Sequence, residues 1–109
     1  MLGKYVSNNV VDVNGNPSGG TVSGVGLKIE WQNGPLGRGA ERQEPNGAFV
    51  ETVIDAARQR LEFFQLASDK RFGCRENALA ITKLEEALHW LNHRTAAREA
   101  REAEGTYTI

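Results

Sequence analysis

The 109-residue sequence is short of cysteine, of long apolar runs and of excess charge. Its one cysteine, Cys74, excludes an internal disulfide and a cysteine-based zinc cluster, and is typical of a reducing compartment. No apolar run approaches the about 20 residues that cross a bilayer, and residues 1–5 lack the apolar stretch of a signal peptide. The 13 Lys+Arg against 14 Asp+Glu argue against a general nucleic-acid binder. We expect a soluble, intracellular, single-domain protein (1–109) that binds neither DNA nor membrane.

Glycine and proline are concentrated in the first part of the chain. Residues 1–47 hold ten of the 12 glycines and all three prolines, whereas 48–104 hold one glycine and are rich in Ala, Leu, Glu and Arg. This division predicts an α+β fold: a β-rich part with a loop, a two-helix part, and a C-terminal tail over 105–109.

The β-rich part predicts an antiparallel hairpin. Residues 4–13 favour a strand, 14–20 supply turn residues, and 21–32 alternate apolar and polar side chains as one half-buried strand does. Residues 33–46 form a polar loop with too little apolar content to pack.

Two long antiparallel helices are expected after the loop. The first begins near Asn46 as the N-cap and ends around Ala67-Ser68, and the second runs from Cys74 or Arg75 to about Glu102. The second has a core stripe with helical spacing: Ile81, Leu84, Leu88, Leu91, Thr95. A small sheet covers only part of two such helices, so we predict a homo-oligomer whose helices pack across subunits. Trp90, off the stripe, is either an interface anchor or a shield over the hairpin.

Arginine supplies nine of the 13 basic residues, which hints at discrete contacts with anions. Arg38 lies in a glycine-rich loop that is either a flap reaching an anion or a plain solvated loop. Arg94, Arg98 and Arg101 stripe one helix side, as guanidinium forks for phosphate or as a solvated face paired with Glu102.

The remaining candidates favour binding over catalysis. Asn77, in the first turn of the second helix, either reads a nucleobase edge or caps the helix. Phe63 and Phe64 offer a surface for base stacking, although one of them is expected in the core. His89 and His93 share a helix face without a third ligand, so no metal site is predicted. No acid–base pair or activated nucleophile stands out.

Several blocks of the sequence resemble the bacteriophage Thoeris anti-defence sponge family. The resemblance covers about 26–107, and is most specific over 74–94. It is carried by WQNGPLGRG (31–39), PNGAFVE (45–51), RLEFFQ (60–65), CRENALAITKLEEALHWL (74–91), HRT (93–95) and EGTY (104–107).

The resemblance implies a small phage protein of the infected host's cytoplasm, with an N-terminal antiparallel sheet and two long helices, that assembles through dimers into a hexamer. Members bind, without cleaving it and without a cofactor, the glyco-cyclic ADP-ribose made by TIR-domain defence enzymes. Some also hold cyclic di- or trinucleotides of cyclic-oligonucleotide signalling at separate sites. The alternatives are a signal-degrading phosphodiesterase and a helical protein-interaction adaptor.

The resemblance also implies seven ligand-binding residues. Those holding the ADP-ribose signal are Phe64 (or Phe63) and Asn77; those near nucleotide phosphates are Arg38 and Arg94; those of the tail that close over the ligand are Thr106 and Tyr107.

Overall fold

The structure, a computed structural model, describes residues 3–101 and 105–107. Its elements are strands β1 (Tyr5–Val11), β2 (Pro17–Gly24) and β3 (Leu27–Glu30), a short 3-10 helix (Gly39–Glu41), and helices α1 (Val50–Lys70) and α2 (Arg75–Ala100). The expected α+β fold, an antiparallel sheet followed by two helices, is confirmed. The chain packs as two compact units, Val50–Ala97 and the remainder, Met1–Phe49 with Arg98–Ile109. Within the described ranges, neither helix is long and apolar enough to cross a membrane.

The sheet has three antiparallel strands in the order β1-β2-β3, where the sequence pattern predicted two. The prediction of one strand over 21–32 is wrong, because the chain reverses at Val25-Gly26 and pairs Gly24 with Leu27. Gly26 has φ +78°, a left-handed conformation that glycine adopts without strain. The two-residue turn exchanges odd and even positions between the strands, so that Val22 lies opposite Ile29 on the same face. The alternating residues Val25, Leu27 and Ile29 begin within the turn, so their pattern does not reveal the strand that precedes it.

Asp12 shapes the turn between β1 and β2. Its carboxylate accepts hydrogen bonds from the backbone N–H groups of Asn14 (2.8 Å) and Asn16 (3.0 Å), as aspartate commonly does in turns. This places the reversal earlier than the predicted 14–20, and Pro17 already belongs to β2. On the central strand, Val22 is the one described side chain classed as buried, at 9% exposure.

Asn46 does not cap the first helix as expected. Its side-chain Oδ1 accepts from the Asn33 N–H (2.8 Å) and its Nδ2 donates to the Asn33 carbonyl (3.0 Å), so that it closes the base of the 33–46 loop. Gln32 reinforces the closure by accepting the N–H groups of Asn46 and Gly47 at Oε1. With Asn46 committed to the loop, α1 begins four residues later, at Val50.

The two helices form an antiparallel hairpin. Regular α1 ends before Ala67, near the predicted end, and Ser68, Asp69 and Lys70 then take positive φ values that reverse the chain. At the other end of the hairpin, Arg94 of α2 pairs with Glu51 of α1. Within the described span α2 ends at Ala100, and its predicted end at Glu102 lies outside the described residues. No described residue of α1 or α2 is fully buried in the single chain.

Candidate functional site

An arginine and two phenylalanines form a cluster near the end of α1, here called the aromatic cluster (Arg60, Phe63, Phe64). The Arg60 guanidinium carbon lies 4.9 Å from the Phe63 ring centroid and 4.8 Å from that of Phe64. The two rings meet edge to face, with centroids 5.6 Å apart. Helical spacing of three and four residues produces this arrangement, since such positions share one helix face. A cation over an aromatic face at an exposed site contributes about 0.5–1 kcal/mol.

The two phenylalanines differ in exposure. Phe63 is 53% exposed, whereas Phe64 is half-buried. The Arg60 guanidinium covers only part of each ring, so a second flat group could stack on the uncovered part. The cluster therefore presents both a stacking surface and a positive charge, the two features that recognise a nucleobase attached to phosphate.

Gln65 joins the aromatic cluster to the start of α2. Its side-chain Oε1 accepts from the Cys74 N–H (2.8 Å), and its Nε2 donates to the Cys74 carbonyl (3.1 Å). The Cys74 Sγ in turn accepts from the Asn77 N–H at 3.4 Å, as an N-cap side chain does. Asn77 thus stands one helical turn from the Gln65–Cys74 contact, at the same end of the hairpin as the aromatic cluster.

The amide of Asn77 is available for a ligand. Among the described residues its side chain makes no hydrogen bond, and it is half-buried. The predicted capping role therefore belongs to Cys74 and not to Asn77. A primary amide both donates and accepts, which suits the edge of a purine.

Arg94 lies at the opposite end of the hairpin. Its Nη2 is 3.2 Å from Glu51 Oε1, with side chains 61% and 35% exposed. The 17 positions from Asn77 to Arg94 span roughly 25 Å of helix at about 1.5 Å per residue. One copy of the chain therefore does not bring Arg94 and Asn77 to the same small ligand.

Arg38 and the C-terminal tail meet in the β-containing unit. The Gly37 N–H, next to Arg38, donates to the Gly105 carbonyl at 2.8 Å. The Arg98 Nη2 donates to the Thr106 carbonyl (2.6 Å), and the Tyr107 hydroxyl donates to the Pro17 carbonyl (3.3 Å). We call these contacts the tail latch. Residues 108 and 109 of the predicted tail lie outside the described residues.

Gly105 is required for the tail latch. Its φ is +81°, and a methyl group there would lie 2.4 Å from the Gly37 carbonyl oxygen and 3.3 Å from Arg42 Nη1. The latch thus gathers the backbone beside Arg38 together with the guanidinium groups of Arg42 and Arg98.

Acidic side chains moderate the charge on α1. Arg58 Nε lies 2.8 Å from Asp55 Oδ1, and its Nη1 lies 2.9 Å from Glu62. The hydrogen bond from Arg58, assisted by Gln59, holds the pKa of Asp55 below its ordinary value. The same bond raises the pKa of Arg58. The charges of Arg58, Asp55 and Glu62 offset one another. Arg60 is the nearby arginine whose guanidinium lies over the phenylalanine rings.

The histidines of α2 flank the exposed Trp90 ring. His89 and His93 make edge-to-face contacts with it, at centroid distances of 5.7 and 6.1 Å, and Trp90 is 67% exposed. In the part of the chain that the structure describes, no group of three or more His, Cys, Asp or Glu side chains is placed to hold a metal ion.

Sequence reasoning missed Arg60, Arg42 and Gln65. The spacing of Arg60 to Phe63 and Phe64 is a local signal that could have identified the cluster. Arg42 and Gln65 act through contacts with distant residues, for which the sequence contains no periodic signal.

The three-stranded antiparallel sheet and the helical hairpin define a small α+β protein with an exposed arginine–phenylalanine cluster on α1. Residues 24–96 match the family described as Acb2/Tad1, hairpin domain, and the chain belongs to this family. It is 47% identical over 93 residues to "Thoeris anti-defense 1" of Bacillus phage SBSphiJ7. The aligned part is 85% of this chain and 63% of that relative, so the chain spans less than two thirds of the relative's length.

Proposed function

We propose that this chain is a phage anti-defence protein that binds the glyco-cyclic ADP-ribose signal of TIR-domain Thoeris enzymes and sequesters it without cleaving it. The observation that carries the proposal is the aromatic cluster at the same end of the helical hairpin as Asn77, within the span that matches the family model. The 47% identity to a protein named for Thoeris anti-defence supports the biological setting.

Each residue has a distinct role in the proposed site. Phe64, or Phe63, stacks on the adenine, and Asn77 reads a polar edge of the ligand. Arg60 lies over both rings. When the base stacks on one ring and displaces the guanidinium from it, Arg60 faces the diphosphate. The Gln65–Cys74 contact fixes the junction of the two helices that carry the rings and the amide, which reduces the ordering that binding requires.

The distance between the two ends of the hairpin favours a site shared between copies. An antiparallel arrangement of two hairpins would bring Arg94 of one copy to the aromatic cluster of the other, where it would contact phosphate. The exposed apolar surface of the helices supports the same conclusion, since neither has a fully buried residue in the single chain. We therefore propose a homo-oligomer in the host cytoplasm, built from dimers into a hexamer, with Trp90 as an interface anchor.

Arg38, Thr106 and Tyr107 form the second part of the proposal. The tail latch holds the backbone beside Arg38 against the tail. When the latch rearranges, Arg38 contacts a nucleotide phosphate and Thr106 and Tyr107 close over the ligand. Cyclic di- or trinucleotides are proposed to bind at sites separate from the aromatic cluster.

Recovery of the ligand distinguishes a sponge from an enzyme. Purified protein is incubated with glyco-cyclic ADP-ribose, the free signal is measured, the protein is denatured by heat, and the released nucleotide is identified by mass. We expect the free signal to disappear and to return intact after heating. Hydrolysed products would instead identify a phosphodiesterase, and no uptake together with capture of a host protein would identify an adaptor.

Calorimetric titration of matched variants tests the site. Phe64→Ala is expected to weaken binding by about 1–3 kcal/mol, the usual value of one base stacked on a ring. Phe72→Ala is the control, because Phe72 is also exposed and carries its own arginine, Arg71, at 5.3 Å. Asn77→Ala should likewise weaken binding, while Asn92→Ala on the same helix should not. If the two variants of a pair weakened binding equally, the result would exclude Phe64 or Asn77 from the ligand site.

A further inference from the structure

The strand β1 is an edge of the sheet without the features that usually protect such an edge. Within the described residues it pairs with β2 on one side and with no strand on the other. All seven of its residues, YVSNNVV, are exposed, and the strand contains no charge, proline or glycine. Edge strands usually carry charges, proline or bulges because open N–H and C=O groups pair readily with another strand.

The register identifies the backbone groups that face the open edge. The Trp31 N–H donates to the Gly20 carbonyl, so Gly20 and, by alternation, Val22 direct their polar groups toward β3. Thr21 and Ser23 then face β1.

The strand partners of Thr21 and Ser23 are Asn8 and Val6, which therefore direct their N–H and C=O groups inward. The odd-numbered residues of β1 direct theirs outward: Tyr5, Ser7, Asn9 and Val11. The irregularity near Asn9 leaves this alternation intact, because the extra residue lies in β2, between Pro17 and Gly20.

The residues from Lys4 to Asp12 are complementary to themselves in the antiparallel direction. We propose that β1 pairs with β1 of a second copy about a two-fold axis at Asn8, which makes the two sheets continuous. In this register the outward-facing Ser7 and Asn9 form a hydrogen-bonded pair across the axis, as do Tyr5 and Val11.

Side-chain chemistry matches the same register. Val6 lies opposite the partner's Val10, and Lys4 lies opposite the partner's Asp12, so that opposite charges flank the pairing at both ends. Opposite-charge and aliphatic pairs at directly opposed positions are favourable in antiparallel sheets.

Neighbouring two-fold registers lack this complementarity. An axis at Ser7 places Lys4 opposite Val10 and moves Asp12 beyond the pairing. An axis at Asn9 places Asp12 opposite Val6. Both registers satisfy the backbone hydrogen bonds, but each sets a charged side chain opposite an apolar one. The register with its axis at Asn8 is therefore preferred.

Disulfide trapping tests this register directly. Opposed residues of a non-hydrogen-bonded pair have Cα atoms about 4.5 Å apart, within the range of about 4.4–6.8 Å that a disulfide spans. Asn8→Cys, introduced in a Cys74→Ser background, should therefore convert to covalent dimer under mild oxidation. Serine suits position 74 because Cys74 acts as an N-cap there.

Val13→Cys in the same background is the matched control. Val13 is fully exposed, but the proposed register places the two copies of residue 13 roughly 30 Å apart, at about 3.3 Å per strand residue. On electrophoresis without a reducing agent, the Val13→Cys variant should show no disulfide-linked dimer. Equal yields of covalent dimer from the two variants would overturn the proposal.

Ser7→Pro, added to the Asn8→Cys variant, provides a second readout. Proline at position 7 removes an outward N–H and leaves the β1–β2 hydrogen bonds in place, so the fold should be retained by circular dichroism. We expect loss of the covalent dimer. Persistence of the dimer in the folded double variant would contradict pairing through the backbone of β1. The trapping needs no nucleotide, so its outcome is independent of the proposed ligand.

Discussion

Single residues in this protein act through specific partners, and arginine is the clearest example. Arg58 is held between two carboxylates, Arg60 lies over two rings, and Arg98 donates to the Thr106 carbonyl. Arginine's planar, permanently charged fork suits each of these contacts, whereas lysine would satisfy them less fully.

Asp55 carries a pH-dependent part of the stability. Its pKa is lowered in the folded chain, chiefly by the hydrogen bond from Arg58, so its contribution is present above the ordinary aspartate pKa of 3.8 and is lost as the pH falls through the lower folded value. Asp55→Asn should lower the thermal midpoint at pH 7. The difference from wild type should vanish in acid, and a difference that persists at pH 2 would contradict this origin.

At the scale of elements, α1 ends by an unusual route. Ser68, Asp69 and Lys70 all adopt left-handed conformations without a glycine, although such conformations cost about 1–2 kcal/mol for ordinary residues. Helices more often end on a left-handed glycine.

Ser68→Gly should therefore stabilise the protein by about 1 kcal/mol, because the native φ of 51° becomes free of strain. Urea denaturation measures the change. Ala57→Gly, in the regular part of α1, is the control and should destabilise by a similar amount. Destabilisation by both glycines would mean that residue 68 is not left-handed in solution.

The tail latch is the corresponding element of the β-containing unit. Gly105→Ala should release the tail, because the methyl group would lie 2.4 Å from the Gly37 carbonyl oxygen. Hydrogen exchange at the Gly37 amide should accelerate. Gly26→Ala has a similar φ but open space around it, so it should leave the Gly37 amide protected.

For the whole molecule, the exposed apolar surface is the main physical fact. Large apolar side chains remain substantially exposed in the single chain: Val25, Phe63, Leu66 and Trp90 are among them. Because such surface is costly in water, it favours association between copies. This agrees with the proposed oligomer and with the open edge of β1.

Leu88→Asp should abolish assembly, because it places a charge in the apolar stripe of α2. Light scattering should report a lower mass than for wild type. Thr82→Asp adds the same charge at an exposed position of the same helix and should retain the wild-type mass. Retention of the assembly by Leu88→Asp would exclude this stripe from the interface.

The sequence by itself determined an antiparallel sheet followed by two helices, the extent of α1 to within four residues and the start of α2. It also placed Phe63, Phe64 and Asn77 near the helical reversal. These features follow from spacing and local conformational preference, which act over about four residues. The turn at Val25-Gly26 was missed because the alternating residues Val25, Leu27 and Ile29 begin within it and look like one strand.

Tertiary structure alone decided the rest. The closure of the loop by Asn33 and Asn46, the Gln65–Cys74 contact and the tail latch each join residues that no local pattern relates. Asn46 illustrates the reason: its preference for capping a helix was overridden by hydrogen bonds available only once the chain had folded back. Such contacts depend on where distant segments meet, and that is a property of the folded chain.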